Sequence, residues 1–122
     1  MPKKTPAFKH YPAWTEARFW GFIRSGLRAK WSRWPPKYEV LNKAKRLKPK
    51  NKKGRHRFEY QCSQCNQWWM NKEVEVDHIT PCGSLKSYAD LVGFVERLFT
   101  SADRLRVVCK PCHRIITKKE RE

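Results

Sequence analysis

Two cysteine pairs limit what this chain can fold into more than any other feature. Cys62 and Cys65 are separated by two residues, Cys109 and Cys112 likewise, and 43 residues lie between the pairs. Two intervening residues let a tight turn aim both thiolates at one ion, so the two pairs predict a tetrahedral four-cysteine zinc site. The start, Met1-Pro2-Lys3-Lys4-Thr5-Pro6, lacks the apolar stretch of a signal peptide. No apolar run reaches the roughly 20 residues of a membrane span. A reducing cytoplasm is therefore expected, and there thiols are metal ligands before they are disulfides. A zinc ion would also explain how so short a chain folds, because metal binding supplies folding free energy directly. The competing reading is four buried or redox-active thiols. Cys82 falls outside both spacings and is left out of the cluster.

The charge balance narrows the partner. Lys and Arg number 28 against 11 Asp and Glu, a net charge of +17. Four zinc-bound thiolates would lower that only slightly. A field so positive favours a polyanion, and nucleic acid is the common one. Charge alone does not separate a nuclease from a ribosomal protein or a packaging factor, so the chemistry must come from the sites.

Periodicity organises the rest. Residues 1–14 read as an irregular arm with Pro2, Pro6 and Pro12. Thr15 is a candidate N-cap with Glu16 in the first turn. Phe19, Phe22, Ile23, Leu27, Trp31 and Trp34 then recur at spacings of three and four, which predicts an amphipathic helix over 16–33. Its other sides carry Arg18, Arg24, Arg28 and Arg33. Pro35-Pro36 ends this helix and suits the first turn of the next, over 36–46. The stretch from Lys45 to Arg57 is dense in Lys and Arg and almost devoid of apolar residues, and reads as a mobile basic linker. Residues Arg24, Arg28, Arg33, Lys50, Lys52, Lys53 and Arg55 are the expected contacts to DNA phosphates, with a solvated charged loop the equal alternative for the 45–57 stretch. Phe58-Glu59-Tyr60-Gln61 and Val74-Glu75-Val76-Asp77-His78-Ile79 alternate as strands do. A helix is expected over 86–99, with Tyr88, Leu91, Val92, Val95 and Leu98 on one side. A short strand follows over 105–108, then a turn and helix through 119. The expected organisation is an N-terminal basic helical extension (1–46), a basic linker (47–57) and a compact domain (58–122).

Three residues flanking the cysteines carry chemistry. Asp77-His78 ends a strand, and His113 directly follows the last cysteine at the start of the final helix. Phosphodiester hydrolysis needs a base for water and a cation where negative charge develops. Histidine supplies the base near neutral pH, and a carboxylate with an imidazole can hold a divalent ion. Each also has a plainer reading: Asp-His pairs are common in loops, and His113 could be a helix-capping or zinc-site histidine.

With Cys62-x-x-Cys65, Val74-Glu75-Val76-Asp77-His78-Ile79-Thr80-Pro81, Gly83-Ser84-Leu85, Phe94-Val95-Glu96-Arg97-Leu98-Phe99 and Val107-Val108-Cys109-Lys110-Pro111-Cys112-His113, followed by Thr117 and Glu120, the chain resembles the small HNH endonucleases of tailed bacteriophages and prophages. The motifs span about residues 58–120. The segment through Arg33-Trp34-Pro35-Pro36-Lys37-Tyr38 is similar, less specifically, to the helical leader of such proteins. The resemblance implies a small α+β fold, a ββα-metal finger stapled by the four-cysteine zinc site with an N-terminal helical extension. It implies His78 as general base and Asp77 and His113 as ligands of a catalytic ion, magnesium or another divalent metal. The implied reaction is cleavage of DNA with little sequence preference, leaving 5′-phosphate and 3′-hydroxyl ends. The implied partners are DNA and a phage terminase or packaging protein inside a bacterial host cell. Two positions depart from the pattern. Arg104 follows Asp103 where the family has its asparagine, and Ile116 stands where a lysine often precedes Thr117. Two other functions compete: a non-catalytic zinc-ribbon module that binds nucleic acid, and a host-takeover or anti-defence protein on the same scaffold.

Overall fold

A computed structural model describes residues 6–48 and 57–121. It is a small α+β protein, and the chain divides into two compact units: Met1–Trp34 with Thr80–Thr100, and Pro35–Ile79 with Ser101–Glu122. No helix among the described residues is long and apolar enough to cross a membrane.

The first unit opens with strands β1 (Ala7–Phe8) and β2 (Tyr11–Thr15), an antiparallel pair where the sequence suggested an irregular arm. What orders it is Phe8, buried and stacked on Phe19 with ring centroids 3.8 Å apart. Helix α1 (Glu16–Trp31) begins as expected: the Arg18 amide donates to the Thr15 hydroxyl at 3.1 Å. Its core-facing stripe keeps Phe19, Ile23, Leu27 and Trp31 of the predicted one and adds Trp20. Trp20 is the most buried residue of the helix, with Ile23, Leu27 and Trp31 beside it, whereas Phe22 is 61% exposed. Helix α2 (Pro35–Ala44) follows in the second unit, and helix α3 (Tyr88–Leu98) returns to the first. On α3, Phe94 and Leu98 are fully buried and Leu91 packs beside them, while Tyr88 and Val92 lie exposed. The apolar surplus of α3 made two stripes readable, and contact with Trp20, Cys82 and Leu85 selects the one through Phe94.

Among the described residues the second unit holds two antiparallel sheets. Strands β3 (Lys45–Lys48), β4 (Arg57–Gln61) and β5 (Trp68–Trp69) form one, in that order. Lys45–Lys48 and Arg57, read from the sequence as linker, are thus paired strand residues, with Lys48 opposite Arg57. Strands β6 (Val74–His78) and β7 (Leu105–Cys109) form the other, in register from Val74↔Cys109 to His78↔Leu105. Helix α4 (Lys110–Glu120) leaves β7 without a break and packs against both strands. This is the ββα unit. The segment Thr80–Thr100, expected within 58–122, packs with the N-terminal helix, and α2, expected within 1–46, packs on β7.

Candidate metal centre and neighbouring polar cluster

The first knuckle is the turn from β4 into β5. The Cys62 carbonyl accepts from the Asn66 amide at 2.9 Å, and the Cys62 amide donates to the Gln67 carbonyl at 3.0 Å. Asn66 takes a positive φ of 59°, which this reversal requires and which asparagine tolerates better than most side chains. The Gln64 and Cys65 amides point at the Cys62 sulfur, 3.4 and 3.5 Å away. The second knuckle is the N-terminus of α4: Cys109 is the N-cap and Cys112 lies in the first turn, so both sulfurs fall on one side. The Ser63 amide donates to the Val107 carbonyl at 2.8 Å and ties the two knuckles together.

All four sulfurs lie within 4.8 Å of one another, and Cys65 Sγ is 3.9 Å from Cys109 Sγ. Zinc–sulfur bonds of about 2.3 Å at tetrahedral angles set neighbouring sulfurs about 3.8 Å apart. The donor set and its spacing therefore fit a metal such as zinc. The electrostatics point the same way. Burial raises the Cys62 thiol, but the amides of Cys65, Cys109 and Gln64 outweigh it and bring it down to about 6. Its neighbours move oppositely: Cys112 is pushed up to about 12, chiefly by its hydrogen bond with the Cys109 thiol, and burial raises Cys109. One thiolate forms readily and makes the next harder, a conflict that a central dication resolves. Cys82 lies in the apolar core of the other unit with Trp20, Leu85, Phe94 and Leu98.

Beside this cluster, strand alternation puts Glu75 and Asp77 on one face of β6. His113 on α4 reaches between them: Nδ1 is 2.9 Å from Glu75 Oε2, and Nε2 is 3.5 Å from Asp77 Oδ1. The imidazole thus bridges two carboxylates, one at each ring nitrogen. A carboxylate holding one ring nitrogen while the other is left for a cation is how proteins orient metal-binding histidines. Asp77 and His113 are thus a carboxylate and an imidazole that could share one metal ion. Arg106, opposite Asp77 in the register, donates from Nε to Oδ2 at 3.0 Å and places Nη2 at 2.9 Å from the same oxygen. Asp77 Oδ1 is left facing His113.

The structure thus brings Asp77 and His113 together and adds Glu75 and Arg106, which the sequence reading passed over. The signal for Glu75 was its place two residues before Asp77 on the same strand face. His78, paired with Leu105, belongs by alternation to the opposite face of β6 from Asp77. At the expected asparagine position, Arg104 is exposed, and its carbonyl accepts from the Ile79 amide at 3.0 Å. The backbone of Arg104 therefore anchors the residue after His78. Asp103 is held by the Ser101 hydroxyl, which keeps its carboxyl below the ordinary value. Of the expected DNA contacts, Arg28 and Arg33 are exposed, whereas half-buried Arg24 donates to the Leu85 carbonyl at 3.0 Å. Lys50, Lys52, Lys53 and Arg55 lie outside the described residues. No family model matches the chain, and neither a curated protein nor a solved structure matches it.

Proposed function

We propose that the chain is a metal-dependent DNA endonuclease of the HNH kind, with the four cysteines holding structural zinc. The observation that carries this reading is His113 suspended between Glu75 and Asp77 beside the cysteine cluster. Asp77 and His113 would hold the catalytic ion, magnesium or another divalent metal, with Glu75 fixing the imidazole. That ion supplies positive charge where negative charge develops on the scissile phosphate. His78, at the last position of β6, would accept the proton of the attacking water. Attack on phosphorus breaks the bond to the 3′-oxygen and leaves a 3′-hydroxyl and a 5′-phosphate. The +17 charge supports a polyanionic substrate read through its backbone, hence little sequence preference. A role beside a phage terminase in a bacterial cytoplasm rests on the sequence resemblance alone.

The test is nicking of supercoiled plasmid with and without divalent metal, by the wild type and by His78→Ala. Metal-dependent nicking lost in the variant supports the assignment. Equal cleavage by both removes His78 as base. Two observations favour a second reading, a zinc-ribbon module that binds nucleic acid without cutting it. Arg106 already neutralises Asp77, and His78 leaves β6 on the other face. That module would bind DNA with strong salt dependence and never nick it.

A further inference from the structure

The sheet β3–β4–β5 has no part in that chemistry, yet its composition is unusual for a surface. The register pairs Arg46 with Glu59, Lys48 with Arg57, and Gln61 with Trp68. These residues share one face, since directly opposed residues point the same way and alternate positions repeat it. Three cations stand on that face, all exposed. Its one carboxylate among these paired residues, Glu59, is matched by Arg46 Nη2 at 3.2 Å and Lys48 Nζ at 3.8 Å. The Arg46 guanidinium lies over the Trp68 ring, 3.8 Å from its centroid. The other face carries Lys45, Leu47, Phe58, Tyr60 and Trp69, and Trp69 packs toward the cysteine cluster.

A guanidinium layered on an indole, flanked by exposed cations, offers a planar surface for a base and charges for its phosphates. A duplex hides its base faces in the stack, so it cannot use such a plane. An unpaired strand can, because every base has a π-face, and guanidinium planes serve as stacking partners as aromatic rings do. We propose that the Arg46–Trp68 face binds single-stranded nucleic acid, one base stacked on the Arg46–Trp68 layer and the phosphates met by Lys48 and Arg57. This rests on the reading of the chain as a nucleic-acid-binding protein and is independent of cleavage.

The experiment is fluorescence anisotropy of the full chain with a labelled oligothymidylate of roughly 20 nucleotides and with a duplex of equal length, with zinc content checked for every variant. Trp68→Ala weakens oligothymidylate binding roughly 5- to 100-fold, the scale of a lost base stack, with a smaller effect on the duplex. Trp68→Phe, which keeps a ring, restores most of that loss. Arg57→Gln lowers the dependence of log affinity on log salt by about 0.7 for the single strand. Phe58→Ala, on the opposite face, serves as the internal control and changes affinity less than twofold. The proposal is overturned if zinc-loaded Trp68→Ala and Arg57→Gln both bind oligothymidylate within twofold of wild type. It is overturned equally if Phe58→Ala costs as much as Trp68→Ala, or if single strand and duplex lose affinity together. Loss of plasmid nicking in His78→Ala with unaltered oligothymidylate binding separates this surface from the proposed active site.

Discussion

Stripping the metal that the four-cysteine cluster can hold, zinc in our proposal, should unfold the second unit, and the size of the effect follows from how little else is buried among its described residues. Among the described residues its fully or nearly buried aliphatic side chains are Val74, Leu105, Val107 and Val108, and the remaining buried positions, Cys62 and Cys109, are thiols of the candidate metal cluster. Burying one such aliphatic side chain contributes about 1.5–3 kcal/mol. A structural zinc site contributes about 10–16 kcal/mol, as much as the whole net stability of an ordinary domain, about 5–15 kcal/mol. Zinc removal should therefore take this unit past its midpoint, not merely loosen it. The assay is the set of indole N–H resonances in a two-dimensional NMR spectrum before and after chelation. Trp68 and Trp69 sit on β5 beside the first knuckle, so their signals should move to the positions of an unfolded chain and return when zinc is restored. Cys112→Ser should reproduce the collapse, whereas Cys82→Ala should keep one zinc per chain because Cys82 lies in the other core. A dispersed Trp69 signal in protein shown by metal analysis to be zinc-free would refute the reasoning.

Four further outcomes are expected. If Asp77 and His113 hold a divalent ion as proposed, Glu75→Gln should weaken its binding by about 10- to 100-fold, read by calorimetric titration of zinc-loaded protein, because Glu75 holds the His113 imidazole. Asp77→Ala and His113→Ala should lose nicking activity that partly returns at high divalent-metal concentration. His78→Ala should lose about 10²–10⁴-fold without such rescue, and equal rescue of all three would count against these roles. Leu98→Ala, at a fully buried position, should cost about 2–5 kcal/mol in denaturant unfolding, while Val92→Ala, 67% exposed on the same helix, should stay within about 0.5 kcal/mol. Affinity for duplex DNA should fall steeply between low and physiological salt, and a flat response would contradict binding through phosphates.

The elements that could be read from sequence are those whose information is local. The knuckle spacing gave the four-cysteine cluster, alternation gave β6, a short strand was legible over 105–108 where β7 lies, and Thr15 with its three–four repeat gave the start of α1. What could not be read depends on partners distant along the chain. The strand β3 is a basic tetrapeptide that looks like linker until β4 pairs with it, and a two-residue strand such as β1 is set by Phe8 finding Phe19. Trp20 and Phe94 fall outside the predicted stripes because both helices carry more apolar residues than one stripe needs, and only packing selects among stripes. In the polar cluster, the pairing of Asp77 with His113 followed from motif order. Arg106 required the register of β6 against β7, which spacing alone does not supply.

The two units are each assembled from separated stretches of chain, with Thr80–Thr100 in the first lying between the two halves of the second. During synthesis, neither unit can be completed when its earlier stretch leaves the ribosome. The core around Trp20 must wait for Phe94 and Leu98, and the thiols of Cys62 and Cys65 for Cys109 and Cys112. For that interval Cys62 and Cys65 offer a metal only half a site. Nor does any single truncation isolate one unit without a stretch of the other. A fragment starting at residue 58 would keep all four metal thiols yet lose α1, leaving Leu85, Phe94 and Leu98 without the indole that covers them. Such a fragment would present a sticky apolar face to its own copies, and its aggregation would say nothing about whether the zinc site had formed.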